Sequence, residues 1–187
     1  MGAGTRQDRA VVKHLPNLLS GSRLVAAPYI FWLLWSHDYR SALIWFAIIG
    51  ATDGADGYIA RRFNAQSRLG ALLDPVADKV LLSGSFLVLA LSGAIPVWLA
   101  IIVIGRDLLI LLFAIGALAV SKVRREFPPS TAGKLSTALQ ILYILVSVAI
   151  GAAFLPNFVA SVLQWAVVLV TAWSGADYAK KVLLDRP

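Results

Sequence analysis

The chain contains no cysteine. That excludes a disulfide framework, a thiolate nucleophile and any Cys-ligated metal. Charge is scarce too. Asp, Glu, Lys and Arg make up 14% of the 187 residues, where a soluble domain carries about a quarter. Histidine is limited to His14 and His37. Both fall in expected interfacial segments with no convergent acid, and neither is assigned a role.

Apolar sequence takes the place of charge. The chain is 59% hydrophobic with a mean hydropathy of +0.77, and several runs reach the ~20 residues that cross a bilayer. The expected architecture is an all-α integral membrane protein with six transmembrane helices, forming a single membrane domain over residues 1–187. The spans are expected at about 17–35, 41–62, 69–91, 96–120, 135–154 and 158–178, after a short interfacial helix within 1–15. Pro16 suits the first turn of span one. Its polar opening, Asn17, Ser20, Ser22 and Arg23, reads either as caps and snorkelling groups or as part of a site. Pro75 is expected in the first turn of span three. The N-terminal MGAGTRQDRAVVKHLP lacks the apolar core and cleavage site of a signal peptide. Its superficial fit to a myristoylation pattern is set aside, because a multispanning protein needs no such anchor. The six tryptophans are read as interface anchors and packing.

The net charge of +7 and pI near 10.1 could suit nucleic acid. In a polytopic protein, however, excess Lys and Arg reflects topology and anionic headgroups, so membrane lipids and not nucleic acid are the expected partners. Six spans put both termini on one side. The basic N-terminus, the 61–68 link, the 122–134 link and the tail fall on that side, and the opposite links contribute only Arg40. That side is therefore assigned to the cytoplasm. Asp53 lies eight residues before Arg61, about 12 Å inside that face at ~1.5 Å per residue.

The chain is organised around the stretch DGADGYIARRFNAQSRLGALLDPVAD, from Asp53 to Asp78. Asp53 and Asp56 are spaced i, i+3, and Asp74 and Asp78 are spaced i, i+4. On helices, each pair projects from one face. Two such faces meeting would gather four carboxylates in one small volume, which makes sense only around cations. All-oxygen ligands suit hard ions such as Mg²⁺ or Mn²⁺, so a two-metal centre near the membrane surface is expected. Gly57 allows close approach of a ligand to the backbone, with small Ala60 on the same face. Arg61 can fork onto a phosphate, and Ser67 can bond a base or sugar. Metal-bridged carboxylates would clamp a pyrophosphate, and a carboxylate less committed to metal could take a proton from a hydroxyl.

The pattern Asp53-x2-Asp56-Gly57-x2-Ala60-Arg61-x8-Gly70-x3-Asp74-x3-Asp78 resembles the signature of the CDP-alcohol phosphatidyltransferases, matching at every fixed position. The resemblance covers nearly the whole chain, including the expected six-helix topology. It implies that Asp53, Asp56 and Asp74 ligate metal, and that Asp78 shares a metal and acts as general base. It further implies that Asn17, Leu18, Leu19 and Ser20, with Gly57, Ala60, Arg61, Ser67 and Gly70, contact CDP-diacylglycerol. An alcohol would attack the β-phosphorus and release CMP, in an enzyme that is commonly a homodimer.

The acceptor is read from the second half of the chain. Arg106, Lys122, Arg124, Arg125 and Lys134 would bind an acceptor's phosphate by the same resemblance. GALLDPVADK and GKLSTALQ look most like the branch that makes phosphatidylglycerophosphate and cardiolipin. The acceptor is then glycerol 3-phosphate, or alternatively phosphatidylglycerol. Arg106-Asp107 resembles the cardiolipin synthases, whereas the charge of the 122–134 link favours glycerol 3-phosphate. Arg106 and Asp107 could instead be a structural ion pair; as adjacent residues on a helix they do not face each other, so each is expected to find another partner. Lys79 is read as snorkelling, and Asp177 as a helix-end or dimer contact. Two readings of other classes stand beside these: a cation transporter and a non-catalytic lipid-binding scaffold.

Overall fold

The computed structural model describes residues 23–63, 68–120 and 131–184, with side chains over 23–52, 76–112 and 131–180. Those residues form six α-helices and no strand. They are α1 (Arg23–Trp35), α2 (Tyr39–Phe63), α3 (Arg68–Leu91), α4 (Val97–Val120), α5 (Thr131–Gly151) and α6 (Phe158–Leu184). The expected all-α class is thereby met. The interfacial segment 1–15 and the opening of the first expected span lie outside the described residues.

The ends of the helices follow local chemistry rather than hydropathy. At the end of α1, His37 adopts φ 59°, its N–H reaches Leu34 O at 3.3 Å, and Asp38 N–H reaches Leu33 O at 3.0 Å. This is the Schellman arrangement, in which a left-handed residue lets the chain turn back onto the last carbonyls. Gly93 (φ 78°) ends α3 and Ala153 (φ 63°) ends α5 in the same way, with Ala94 N–H to Leu89 O and Phe154 N–H to Ala149 O, both at 2.9 Å. The links after them are short. Asp38 immediately starts α2, its Oδ1 accepting the Ser41 N–H at 3.2 Å, as an N-cap does.

Three expectations are adjusted. Helix α5 begins at Thr131, before its apolar run, and stops at Gly151, because the left-handed Ala153 bars a later end. Helix α6 continues past Tyr178 to Leu184, since the basic AKKVLL stretch has good helix propensity despite its charge. Asp177 is therefore interior to α6 rather than at its end. Pro75 is the eighth residue of α3, beyond its first turn, so its missing N–H removes a helical bond to the carbonyl of residue 71.

The chain divides into two compact units at Val88–Leu89. In the first, α1 buries Ala27, Ile30, Leu33 and Leu34, a helical-period stripe. Helices α1 and α3 come close at Gly84, where a Cβ would run into the Phe31 ring. In the second unit, α6 packs on both α5 and α4. The buried face of α5 is Ala132, Ser136, Gln140, Tyr143, Ile144, Ser147 and Val148. Gln140 Nε2 donates to Ser136 Oγ at 3.2 Å, and Ser136 Oγ lies 3.2 Å from Thr171 Oγ1 of α6.

Some polar side chains are thus buried within the apolar core, while many large apolar side chains face out, among them Trp32, Ile101, Leu112, Val162 and Leu169, each at least 60% exposed. A water-soluble domain buries such residues. Among the described residues two helices, Thr131–Gly151 and Phe158–Lys180, are long and apolar enough to cross a membrane. Trp35, Trp98, Trp165 and Trp173 are also exposed, and Trp98 pairs with Trp165 at 5.8 Å between ring centroids.

Candidate functional site

The acidic stretch lies on two helices. Asp53 and Asp56 sit on α2, and Asp74 and Asp78 on α3. With ~100° of rotation per residue, each pair occupies adjacent turns of a single helix face. The backbone positions of Gly57, Ala60 and Arg61 are on α2 and that of Gly70 is on α3. The side chains of Asp53, Asp56, Ala60, Arg61 and Asp74 lie outside those described. So do Asn17, Leu18, Leu19, Ser20, Ser67, Lys122, Arg124 and Arg125 in their entirety. Among the described residues no group of three or more His, Cys, Asp or Glu gathers as a metal site. The donor set itself fits a hard divalent ion, since carboxylate pairs one turn apart offer only oxygen.

Asp78 is described in full, and its side chain is 62% exposed. Its Oδ1 accepts from Arg23 Nη1 of α1, 55 residues earlier, in a close ion pair. Arg23 is itself buried. It shares the inward stripe of α1 with Ala27, Ile30 and Leu34, at helical spacing. The carboxylate expected to act as a base is therefore held by an arginine fixed in the packed face of another helix. Sequence reasoning gave Arg23 no definite role. The available signal was that Arg23 is the only charged residue between Asn17 and Trp35, on the inward face of a helix whose other faces are apolar.

The second unit holds a different cluster. Arg106 Nη1 donates to Asp107 Oδ1 at 2.8 Å, and both side chains are nearly buried. Arg106 Nη2 donates to Ser174 Oγ of α6. The expectation that each of these adjacent residues on α4 finds another partner is met for Arg106 in Ser174, while their direct contact departs from it. The arginine stem is long enough to fold back along the helix to its neighbour while still crossing to α6. Arg106 also lines an open, largely apolar groove of about 400 Å³ with Ile102, Leu109, Thr171, Gly175 and Tyr178. Lys134, in the first turn of α5, is exposed. His37 is occupied in the α1–α2 turn, where its Nδ1 lies 2.7 Å from the Tyr39 hydroxyl.

These features define a class: an all-helical chain with outward apolar faces, helices able to cross a membrane, and an aspartate pair on each of two helices. The family model for CDP-alcohol phosphatidyltransferase matches residues 13–173. The chain belongs to the CDP-alcohol phosphatidyltransferase family, as the motif from Asp53 to Asp78 implies. Among its relatives, a Schizosaccharomyces pombe protein named cardiolipin synthase (CMP-forming) / mitochondrial hydrolase fusion protein is 39% identical over 88% of this chain. The chain spans only 30% of that protein's length. A Mycobacterium tuberculosis protein named probable phosphatidylglycerophosphate synthase is 32% identical over 97% of this chain and 88% of its own. An Aquifex aeolicus protein named CDP-diacylglycerol--glycerol-3-phosphate 3-phosphatidyltransferase is 32% identical over 90% of this chain and 95% of its own.

Proposed function

We propose that this chain is a multi-pass membrane enzyme of phospholipid biosynthesis that transfers a phosphatidyl group from CDP-diacylglycerol to glycerol 3-phosphate. The observation that carries this reading is the complete eight-position motif set on α2 and α3, with each aspartate pair on one helix face. Two relatives whose full length this chain nearly matches carry names that specify phosphatidylglycerophosphate or glycerol 3-phosphate, and these support the choice of acceptor. The many large apolar side chains exposed on the helices support six spans. The basic residues of the 61–68 and 122–134 links and of the tail support a cytoplasmic site and cytoplasmic termini. We read the working form as a homodimer on the family resemblance.

Asp53, Asp56, Asp74 and Asp78 would hold two divalent ions, Mg²⁺ or Mn²⁺. Bound there, the ions would neutralise charge on the donor's pyrophosphate and on departing CMP. The chain's own residues do the rest. Asn17, Leu18, Leu19 and Ser20, with Gly57, Ala60, Arg61, Ser67 and Gly70, seat the CDP moiety. Asp78 takes the proton of the acceptor hydroxyl. The hydroxyl oxygen then bonds to the β-phosphorus as the bond from that phosphorus to the bridging oxygen breaks, and CMP leaves with that oxygen. Lys122, Arg124, Arg125 and Lys134 would hold the acceptor's phosphate. Arg106 would join them only by exchanging Ser174 for that phosphate. Asp78→Asn tests this reading. The variant should lose turnover and still bind CDP-diacylglycerol, and full activity in it would remove Asp78 from its role.

A second reading keeps the site and changes the acceptor to phosphatidylglycerol, giving cardiolipin. The Arg106–Asp107 pair and the name of the fission-yeast relative favour it.

A further inference from the structure

We infer that Arg23 is the positioning residue for the Asp78 carboxylate, an assignment that rests on the transferase reading above. Three observations converge on it. Arg23 Nη1 donates to Asp78 Oδ1 across 55 residues of sequence. The arginine side chain is 9% exposed and the carboxylate 62% exposed, so the arginine is the fixed partner and the carboxylate the accessible one. Arg23 belongs to the buried stripe of α1 with Ala27 and Ile30, and α1 is pinned to α3 where Phe31 meets Gly84.

The physical consequence is orientation. A carboxylate on a two-bond side chain at an open helix face samples several rotamers, and only some aim an oxygen at an incoming hydroxyl. An N–H donor fixed in a packed core selects one rotamer and leaves the group open to its substrate. A guanidinium does this better than an ammonium, because its planar fork is preorganised for carboxylate geometry. Arg23 thus acts through Asp78 rather than on the donor lipid, and its loss should fall on turnover rather than on donor affinity.

The test uses the full chain in nanodiscs. Arg23→Gln should lower kcat at least ~tenfold, the scale of a misaligned reacting group, with CDP-diacylglycerol affinity within twofold of the parent. Arg23→Lys should recover part of kcat. A readout independent of activity comes from the absence of native cysteine. Arg23→Cys combined with Asp78→Cys should be joined by a short bis-methanethiosulfonate. An unchanged kcat in Arg23→Gln, a fall in donor affinity that accounts for the lost rate, or no cross-link in the folded protein overturns the assignment. A parent protein that releases no CMP with any acceptor overturns the transferase reading instead, and the cross-link then shows whether the contact itself stands.

Discussion

Arg106 of α4 and Ser174 of α6 are joined by a side-chain hydrogen bond, Nη2 to Oγ, while Nη1 of the same guanidinium holds Asp107 at 2.8 Å. One arginine thereby ties two helices together and neutralises the aspartate beside it. A buried charge that loses a partner keeps its desolvation cost, so the serine matters more than its size suggests.

Ser174→Ala should therefore lower stability by roughly 1–3 kcal/mol, the cost of stripping a donor bond from a buried charged group. Thermal unfolding in detergent checks this. If Arg106 is occupied in structure, the KM for glycerol 3-phosphate in the same variant stays within twofold. An unchanged unfolding midpoint would show that the bond carries no weight.

Gly84 is small because Phe31 occupies the space beside it. Gly84→Ala should overpack the α1–α3 contact and cost about 1–3 kcal/mol. Adding Phe31→Leu should return most of that loss, and the double-mutant cycle should show strong coupling. Independent effects would mean that the two positions do not touch.

Ala153 holds a left-handed φ of 63° at the end of α5. An L-residue with a Cβ pays for that conformation and glycine does not. Ala153→Gly should raise stability by roughly 1 kcal/mol, read as a higher unfolding midpoint with unchanged activity. A lower midpoint would contradict the cap.

How far the fold was legible can be traced residue by residue. The helical class and approximate helix positions followed from apolar run length, because a bilayer sets a length that composition reveals. The ends did not. His37 and Ala153 turn the chain in the left-handed region without the glycine that marks such turns, and Pro75 sits inside α3 where sequence suggested its first turn. Of the candidate site residues, the four aspartates stood out in the sequence by their spacing. Arg23 did not, because an ion pair spanning 55 residues leaves no local pattern, and a lone arginine near a helix end resembles a snorkelling one. The Arg106–Asp107 ion pair was one of the two readings the sequence offered, but the direct contact ran against the helix geometry that separates adjacent side chains, which the flexible stem of arginine overcomes.

The most direct test measures CMP release by the purified chain in nanodiscs holding CDP-diacylglycerol and Mg²⁺, with acceptors added singly. The expected result is release that depends on glycerol 3-phosphate and is lost with Asp78→Asn. Release only with phosphatidylglycerol would keep the chemistry and contradict the acceptor. No release with any alcohol would contradict the transferase itself, and metal flux across liposomes without lipid substrate would replace it with a transporter.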